Sequence, residues 1–440
     1  MAVAFWFRRD LRLEDNTGLY YVLKEQRDVI PFFIFDKNIL NELKSKVDLR
    51  VQFIHSELYN LKHELNQLGS DLIISYGDPL IIWEEWIQKY SLTAIYCNRD
   101  YEPYSIQRDK AIERLCISYS ASFKHYKDQL IFEADEVKKE DGSPYTVFTA
   151  YKNKWLTTLK AQQNPQGDFT PLSLKDIKPF IRNFKQIEHR QQWIQLTEMG
   201  FTPGNLSQLP LKEISQNRLS NYDKTRDYPY LDGTSKLGIH FRFGTISIRQ
   251  KVNQAYHLNS TYTSELIWRE FYSMILQQFP HVTHSAFRKK YDLIQWRNDR
   301  QEFTAWSLGQ TGFPLVDAGM RQLNETGYMH NRVRMVTASF LVKHLLIDWR
   351  WGEAYFAEKL LDYELASNNG SWQWCAGCGT DAAPYFRIFN PIEQQKKFDP
   401  EFKYIRQWIP EFDEHYINQA IVDLKSAKER CLTAYRSALL

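Results

Sequence analysis

The sequence predicts an α/β amino-terminal third followed by an all-α carboxy-terminal half, and three observations carry that prediction. Short apolar runs at 3–7, 29–35, 72–75 and 92–97 alternate with helical patterns at 17–24, 48–68, 79–90 and 105–119. That alternation lapses between about 130 and 205, and from 206 onward only helical periods occur. Strand and helix in alternation build a parallel sheet with right-handed crossovers, whereas an unbroken helical period builds helix-on-helix packing.

The first apolar strand runs into Phe7-Arg8-Arg9-Asp10-Leu11-Arg12-Leu13-Glu14-Asp15-Asn16, a charged loop whose end can cap a helix. No G-x-G-x-x-G follows that strand, so the dinucleotide fingerprint is absent. The second strand is bounded by Asp28 and Asp36. The middle stretch holds two turn-rich segments, at 138–144 and 162–167, around one helix at 149–160, and reads as a connector wrapped on the surface. Helices are expected at 248–257, 264–279, 301–308, 314–325, 332–348 and 353–361. Nothing repeats at solenoid period. The expected division is an α/β domain over 1–130, a linker over 131–205 and a helical domain over 206–440.

With 440 residues, 43% of them hydrophobic and 25% charged, the chain can bury large cores. No apolar run approaches the roughly 18 residues that a membrane helix needs. The start lacks a signal peptide's order of basic, apolar and small residues, so a cytoplasmic protein without membrane attachment is expected. A net charge of +3 is too mild to announce nucleic acid by itself. Aromatic residues make up 15%, which suits either well-filled cores or flat surfaces for flat ligands. The five cysteines do not form a disulfide framework. Cys375 and Cys378 make a C-x-x-C pair, but the other three are scattered, so no zinc site is expected and the pair reads as structural thiols.

The most informative short run is Asn368-Asn369-Gly370-Ser371-Trp372-Gln373-Trp374. Two tryptophans separated by one residue cannot face the same way on a helix, so they are free to serve two purposes. Upstream, Glu265, Trp268 and Arg269 share one helix face, as do Asn331 and Met335. Taken singly, each is a stripe of an ordinary helix.

Taken together, several long motifs are similar to those of the photolyase/cryptochrome family. They are Phe7-Arg8-Arg9-Asp10-Leu11-Arg12, Asp232-Gly233-Thr234-Ser235, Trp268-Arg269-Glu270-Phe271-Tyr272, Met329-His330-Asn331-Arg332-Val333-Arg334-Met335 and Asp381-Ala382-Ala383-Pro384-Tyr385-Phe386-Arg387-Ile388-Phe389-Asn390-Pro391. They run in the family's order over nearly the whole chain, and within the family they most resemble class I cyclobutane pyrimidine dimer photolyases. The resemblance implies a Rossmann-like α/β amino-terminal domain, a long linker and an all-α FAD-binding domain. It implies light-dependent repair, in which an electron passes from excited FADH⁻ to a flipped-out dimer in UV-damaged DNA, single- or double-stranded, by a monomeric enzyme. The alternative within the family is a cryptochrome-like photoreceptor that repairs nothing.

The resemblance also assigns residues. For FAD it implies Tyr222 and the loop Thr234, Ser235, Lys236, Leu237 and Gly238, where the family's usual serine is glycine at 238. Hydroxyls and backbone N–H groups before a helix suit a phosphate on general grounds. Arg334 and Asp362 match an ion pair flanking the isoalloxazine, and Glu364 stands where the family usually has Asp. Asn368 matches the residue facing flavin N5. An amide cannot release a proton, which favours a fully reduced anionic flavin and therefore repair over signalling. For the lesion, Trp268 and Trp374 match stacking residues, with Met335 beside them and Glu265 and Asn331 supplying polar contacts. The (6-4) photolyases have His where Asn331 stands, so a cyclobutane dimer is the expected substrate. Arg226, Arg332 and Arg387 match phosphate contacts, and Arg269 joins this DNA-facing set. Trp372, Trp349 and Trp296 match a tryptophan chain that reduces the flavin, with Trp306 and Trp351 set aside as packing residues. An antenna pigment, a folate or a deazaflavin, is implied at the amino-terminal domain. Glu102 resembles a folate-contacting acid, whereas Val282-Thr283 replaces the Cys-Lys pair of some folate-binding relatives.

Overall fold

The computed structural model describes residues 2–205, 209–413, 416 and 420–439. Five strands form one parallel sheet: β1 (Ala2–Phe7), β2 (Val29–Asp36), β3 (Ile73–Gly77), β4 (Leu92–Asn98) and β5 (Ser122–Tyr126), in the order β3-β2-β1-β4-β5. All residues of β1 and β2 are buried, as expected of central strands covered on both faces. The expected first four strands are present within two residues. The fifth escapes an apolar search because Ser-Phe-Lys-His-Tyr is an edge strand whose Ser122, Lys124 and His125 are exposed.

The crossover helices begin where the side-chain chemistry stops the chain from staying extended. Asn16, Asp48 and Asp78 accept from Leu19, Arg50 and Leu80 N–H groups at the starts of helices Thr17–Glu25, Leu49–Gln67 and Pro79–Tyr90. The strand order reverses between β1 and β4, which makes the carboxyl ends of these two strands the switch point of the sheet.

The chain clusters into two compact units. The first comprises residues 1–136, 156–213 and 237–254, and the second 137–155, 214–236 and 255–440. Within the first unit, the stretch 156–213 is bound to the sheet domain. Phe184 bridges Val29, Lys185 N–H donates to the Val29 carbonyl, and the Gln191 amide pairs with both backbone groups of Ile74.

Among its described residues the second unit is helical. Helices Ser260–Gln278, Arg300–Leu308, Pro314–Thr326 and Trp349–Lys359 overlap the expected ones. The helix expected over 332–348 instead runs Asn331–Ser339 and widens into a π turn over Phe340–His344. The buried Lys343 ammonium of that turn donates to the carbonyls of Ala376 and Tyr385 and sits 3.9 Å from the Tyr435 ring centroid. Helix Leu365–Ala376 carries the Asn368–Trp374 run and ends at Gly377, whose φ of 83° suits glycine.

Candidate active site

A cavity of about 370 Å³ opens in the second unit, within the size range of small-molecule sites. Three helices supply most of its wall. Ser260–Gln278 contributes Glu265, Trp268, Arg269 and Tyr272; Asn331–Ser339 contributes Asn331, Arg334, Met335 and Ala338; Leu365–Ala376 contributes Ser367, Asn368, Ser371, Trp372, Trp374 and Cys375. Arg226, Asp362 and Glu364 complete the charged part of the wall. Residues expected at a flavin and residues expected at a lesion therefore border the same space.

Three ion pairs ring that space. Arg334 meets both oxygens of Asp362 at 3.2 and 3.0 Å, and its Nε donates to the Met329 carbonyl at 2.7 Å. Arg269 donates to Glu364 at 3.0 Å, and Ser367 donates to the other Glu364 oxygen at 3.1 Å. Arg226 pairs with Glu265. Each partly buried charge thus has an opposite charge, and the first two pairs carry the extra hydrogen bonds that such pairs need. The Arg269 guanidinium thus turns to Glu364 within the cavity wall. Burial pushes the Glu265 carboxyl above its ordinary range, against the opposing pull of Arg226.

Asn368 has a defined orientation. Its Nδ2 donates to Glu353 Oε1 at 2.9 Å and to the Glu353 carbonyl at 3.1 Å. Burial raises the Glu353 carboxyl as well. Both amide hydrogens are engaged, which leaves the Asn368 carbonyl oxygen as the free polar end of the side chain.

The two tryptophans of the central run part company as their spacing requires. Trp372 is buried, with Phe356 at 5.0 Å and Trp306 at 6.2 Å. Trp374 is half-buried, 6.5 Å from Phe389. Both border the cavity. Trp349 is buried in the same core as Trp372, and Trp296 packs against that core, 6.0 Å from Tyr435. Trp306, set aside in the sequence as packing, is the indole in contact with Trp372.

The remaining expected residues lie outside the cavity wall. Thr234 Oγ1 pairs with the Tyr328 hydroxyl at 3.2 Å, and the Arg334 guanidinium lies 5.7 Å from the same ring, so Tyr328 joins the loop to the cavity. Gly233 allows that loop to close on Thr225, where a β-carbon would stand 2.6 Å from the threonine. Tyr222 packs edge-on against Tyr262 of the Glu265 helix at 4.9 Å. Leu237 and Gly238 fall in the first unit, at the start of helix Gly238–Phe243. Arg332 donates to Asp227 at 2.7 Å and lies 4.4 Å from the Phe398 ring, while Arg387 is exposed. All five cysteines are free and buried; burial pushes the Cys375 and Cys378 thiols up to about 12, which leaves them unreactive.

Sequence reading missed Tyr272, Phe356, Glu353 and Tyr328. Tyr272 sits four residues after Trp268 and was open to detection by helical spacing. The other three reach the site through tertiary packing that no local pattern reports.

The donor set fits a flavin nucleotide. A guanidinium, a neutral amide and aromatic walls suit a flat heterocycle edged with carbonyls and ring nitrogens. Hydroxyls at Thr234 and Ser235 with Lys236 suit a pyrophosphate. Comparison with known proteins agrees. Residues 3–169 match the family model described as DNA photolyase, and 262–433 the one described as FAD binding domain of DNA photolyase. The deoxyribodipyrimidine photo-lyase of Vibrio cholerae is 34% identical, covering 98% of this chain and 99% of that protein. The crystal structure of a bacterial class III photolyase from Agrobacterium tumefaciens superposes with a TM-score of 0.84 at 31% identity, covering 100% of this chain and 98% of the other. The archaeal photolyase from Sulfolobus tokodaii, described with two FAD molecules, gives 0.82 at 34% identity, covering 99% of this chain and 100% of the other. With both halves matched, in order and over its full length, the chain belongs to the DNA photolyase family.

Proposed function

We propose that the protein is a light-dependent carbon–carbon lyase that reverses cyclobutane pyrimidine dimers in UV-damaged DNA. The observation that carries this reading is one shared cavity. Its wall holds Arg334, Asp362, Glu364 and Asn368 together with Glu265, Trp268, Asn331, Met335 and Trp374. The chemistry that FAD supplies when bound is light-driven donation of one electron to the dimer and its later recovery.

The chain's own residues bind, orient and insulate. Arg334 with Asp362 and Asn368 hold the flavin ring, and Tyr222, Thr234, Ser235, Lys236, Leu237 and Gly238 hold the rest of the cofactor. Trp268 and Trp374 take the extruded bases. Unstacking them costs about a few kcal/mol, and least for a distorted lesion, as is general for photolyases and other enzymes that flip bases. Glu265 meets a base carbonyl through its carboxyl, which burial moves toward the protonated form against the pull of Arg226. Arg226, Arg332 and Arg387 meet backbone phosphates, which position without reading sequence. Trp372, Trp349 and Trp296 would relay electrons from a reductant in solution toward bound flavin, each indole being restored in turn by that donor. Among the described residues no helix is long and apolar enough to cross a membrane. A cytoplasmic monomer acting on single- or double-stranded DNA is the working form, with residues 1–130 as an antenna domain, 131–205 as the linker and 206–440 as the catalytic domain. A folate or deazaflavin antenna pigment belongs to the first of these.

The test is direct. Reduced, flavin-loaded protein is mixed with UV-irradiated oligo-thymidine under blue light, and absorbance near the thymine maximum is followed. Recovery that needs light is expected; no recovery with flavin bound would sink the proposal.

A further inference from the structure

The cavity sees only part of the Trp268 indole. One face of it is covered flush by Phe148, with ring centroids 3.6 Å apart and planes 8° from parallel. Phe148 is itself buried and does not border the cavity. Phe271 packs edge-on to Trp268 at 5.5 Å, and Tyr272 lies tilted against it at 5.4 Å. The indole plane is thus fixed from behind and from the side, leaving its remaining surface to the cavity.

Phe148 does not come from the helices that build the site. It opens helix Phe148–Ala161, in the stretch that the sequence presents as connector. That opening is anchored. The Phe148 N–H donates to Asp381 Oδ2 at 3.1 Å, and Thr380 Oγ1 donates to the Thr146 carbonyl at 2.6 Å. Further along, Trp155 Nε1 donates to Glu270 Oε2 at 2.6 Å, tying the same helix to the one that carries Trp268. The ring behind Trp268 is therefore held at both ends.

We propose that Phe148 is a positioning residue for lesion recognition: its ring sets the plane of Trp268 before DNA arrives, so that binding a dimer does not have to order the indole. This inference rests on the reading of the cavity as a dimer site. Immobilising a free aromatic side chain on binding weakens affinity several-fold, and a ring already fixed avoids that loss. The selective value falls on damaged DNA, because only an extruded lesion reaches Trp268. Phe148 lies outside the cavity wall and is none of the residues assigned to phosphate or flavin.

The test is a double-mutant cycle on the flavin-loaded protein, reading dissociation constants for an oligonucleotide with one thymine dimer and for its undamaged twin. Phe148→Leu is expected to weaken dimer binding about three- to tenfold, with flavin content and binding to undamaged DNA unchanged. Phe148→Tyr, which keeps the flat ring, restores most of the loss. In a Trp268→Ala background Phe148→Leu has no further effect, because the ring to be positioned is gone. Should Phe148→Leu not yield folded protein, Phe148→Met keeps the volume without the flat face and takes its place. Equal dimer affinity in wild type and Phe148→Leu, or additive losses in the double variant, would overturn the inference. A wild-type protein that does not distinguish the dimer from undamaged DNA would instead overturn the functional reading beneath it.

Discussion

Two clusters of ion pairs, one in each unit, use the same residue types to opposite ends. At the switch point of the sheet, Arg8 is paired to Asp109 and donates to the Asn98 carbonyl, while Arg9 and Arg242 converge on Glu102. Asp10 is bonded by Asn98, Asn16 and the Arg8 N–H. Beside it, Asp128 receives Arg12, Arg249 and both Thr17 donors. The charges there turn to one another. In the second unit the pairs Arg226–Glu265, Arg269–Glu364 and Arg334–Asp362 stand around open space. A network closed on itself fixes a loop; pairs around a void keep charges pre-oriented for a guest. Residue types alone do not separate the two, since both clusters are built of Arg, Asp and Glu; the motifs around Arg334 and Asp362 do.

The largest effect is expected where the closed network is opened. Asp128→Ala takes the carboxylate from Arg12 and one of two from the buried Arg249, which keeps Asp15, and is expected to cost about 3–5 kcal/mol of stability, read as a fall in the denaturant midpoint. Arg334→Ala acts on a pair that water reaches, so its stability cost is about 1 kcal/mol. Its main effect is functional, a loss of most bound flavin, measured by the ratio of flavin to protein absorbance. If Arg334→Ala destabilises as much as Asp128→Ala while keeping its flavin, the two clusters are of one kind and the distinction fails.

Acid sharpens the same comparison at lower amplitude. Burial works to raise the Asp128 carboxyl, but Arg12 and Arg249 hold it well below the ordinary carboxylate range. A depressed folded value means that its stabilisation is present above the unfolded value of about 3.9 and is lost only as pH falls through the folded one. Between pH 7 and 5 Asp128 therefore gives up nothing. Glu265 is shifted the other way by burial, so it takes a proton above the ordinary value of about 4.3, where the native state binds more protons than the unfolded one and stability does not fall. As pH is lowered the melting temperature should not fall on account of either group, and it should rise to the extent that Glu265 takes up its proton, in step with a change in dimer affinity as the pair with Arg226 is lost. Glu265→Gln should flatten the affinity profile, checked by titrating dimer binding at each pH.

Much of this fold is legible because burial writes periodicity into sequence. The strands Ala2–Phe7 and Val29–Asp36 are buried throughout and read as unbroken apolar runs. Ser122–Tyr126 leaves no such mark because an edge strand faces water. Helix Leu365–Ala376 leaves none either, since it buries Ala366, Asn369, Trp372 and Cys375 on different sides and has no polar face to set a period. Within the site, Glu265, Trp268, Asn331, Met335 and Asn368 are found through motifs that local spacing preserves. Phe148 and Glu353 are not, because each touches its partner across a stretch of chain that no helical period spans. The stretch 137–155 reads as connector in the sequence, yet it clusters with the second unit and backs Trp268. The contact of Phe148 with Trp268 has no sequence signature.

One cavity serving two guests through separable residues should let Glu265→Ala remove one function and spare the other. Flavin content and light-driven repair of irradiated oligo-thymidine are measured on the same preparation. Full flavin content is expected with repair lowered about tenfold or more, the scale of losing a polar contact made at the reacting base. Loss of flavin in step with loss of repair would contradict that separation.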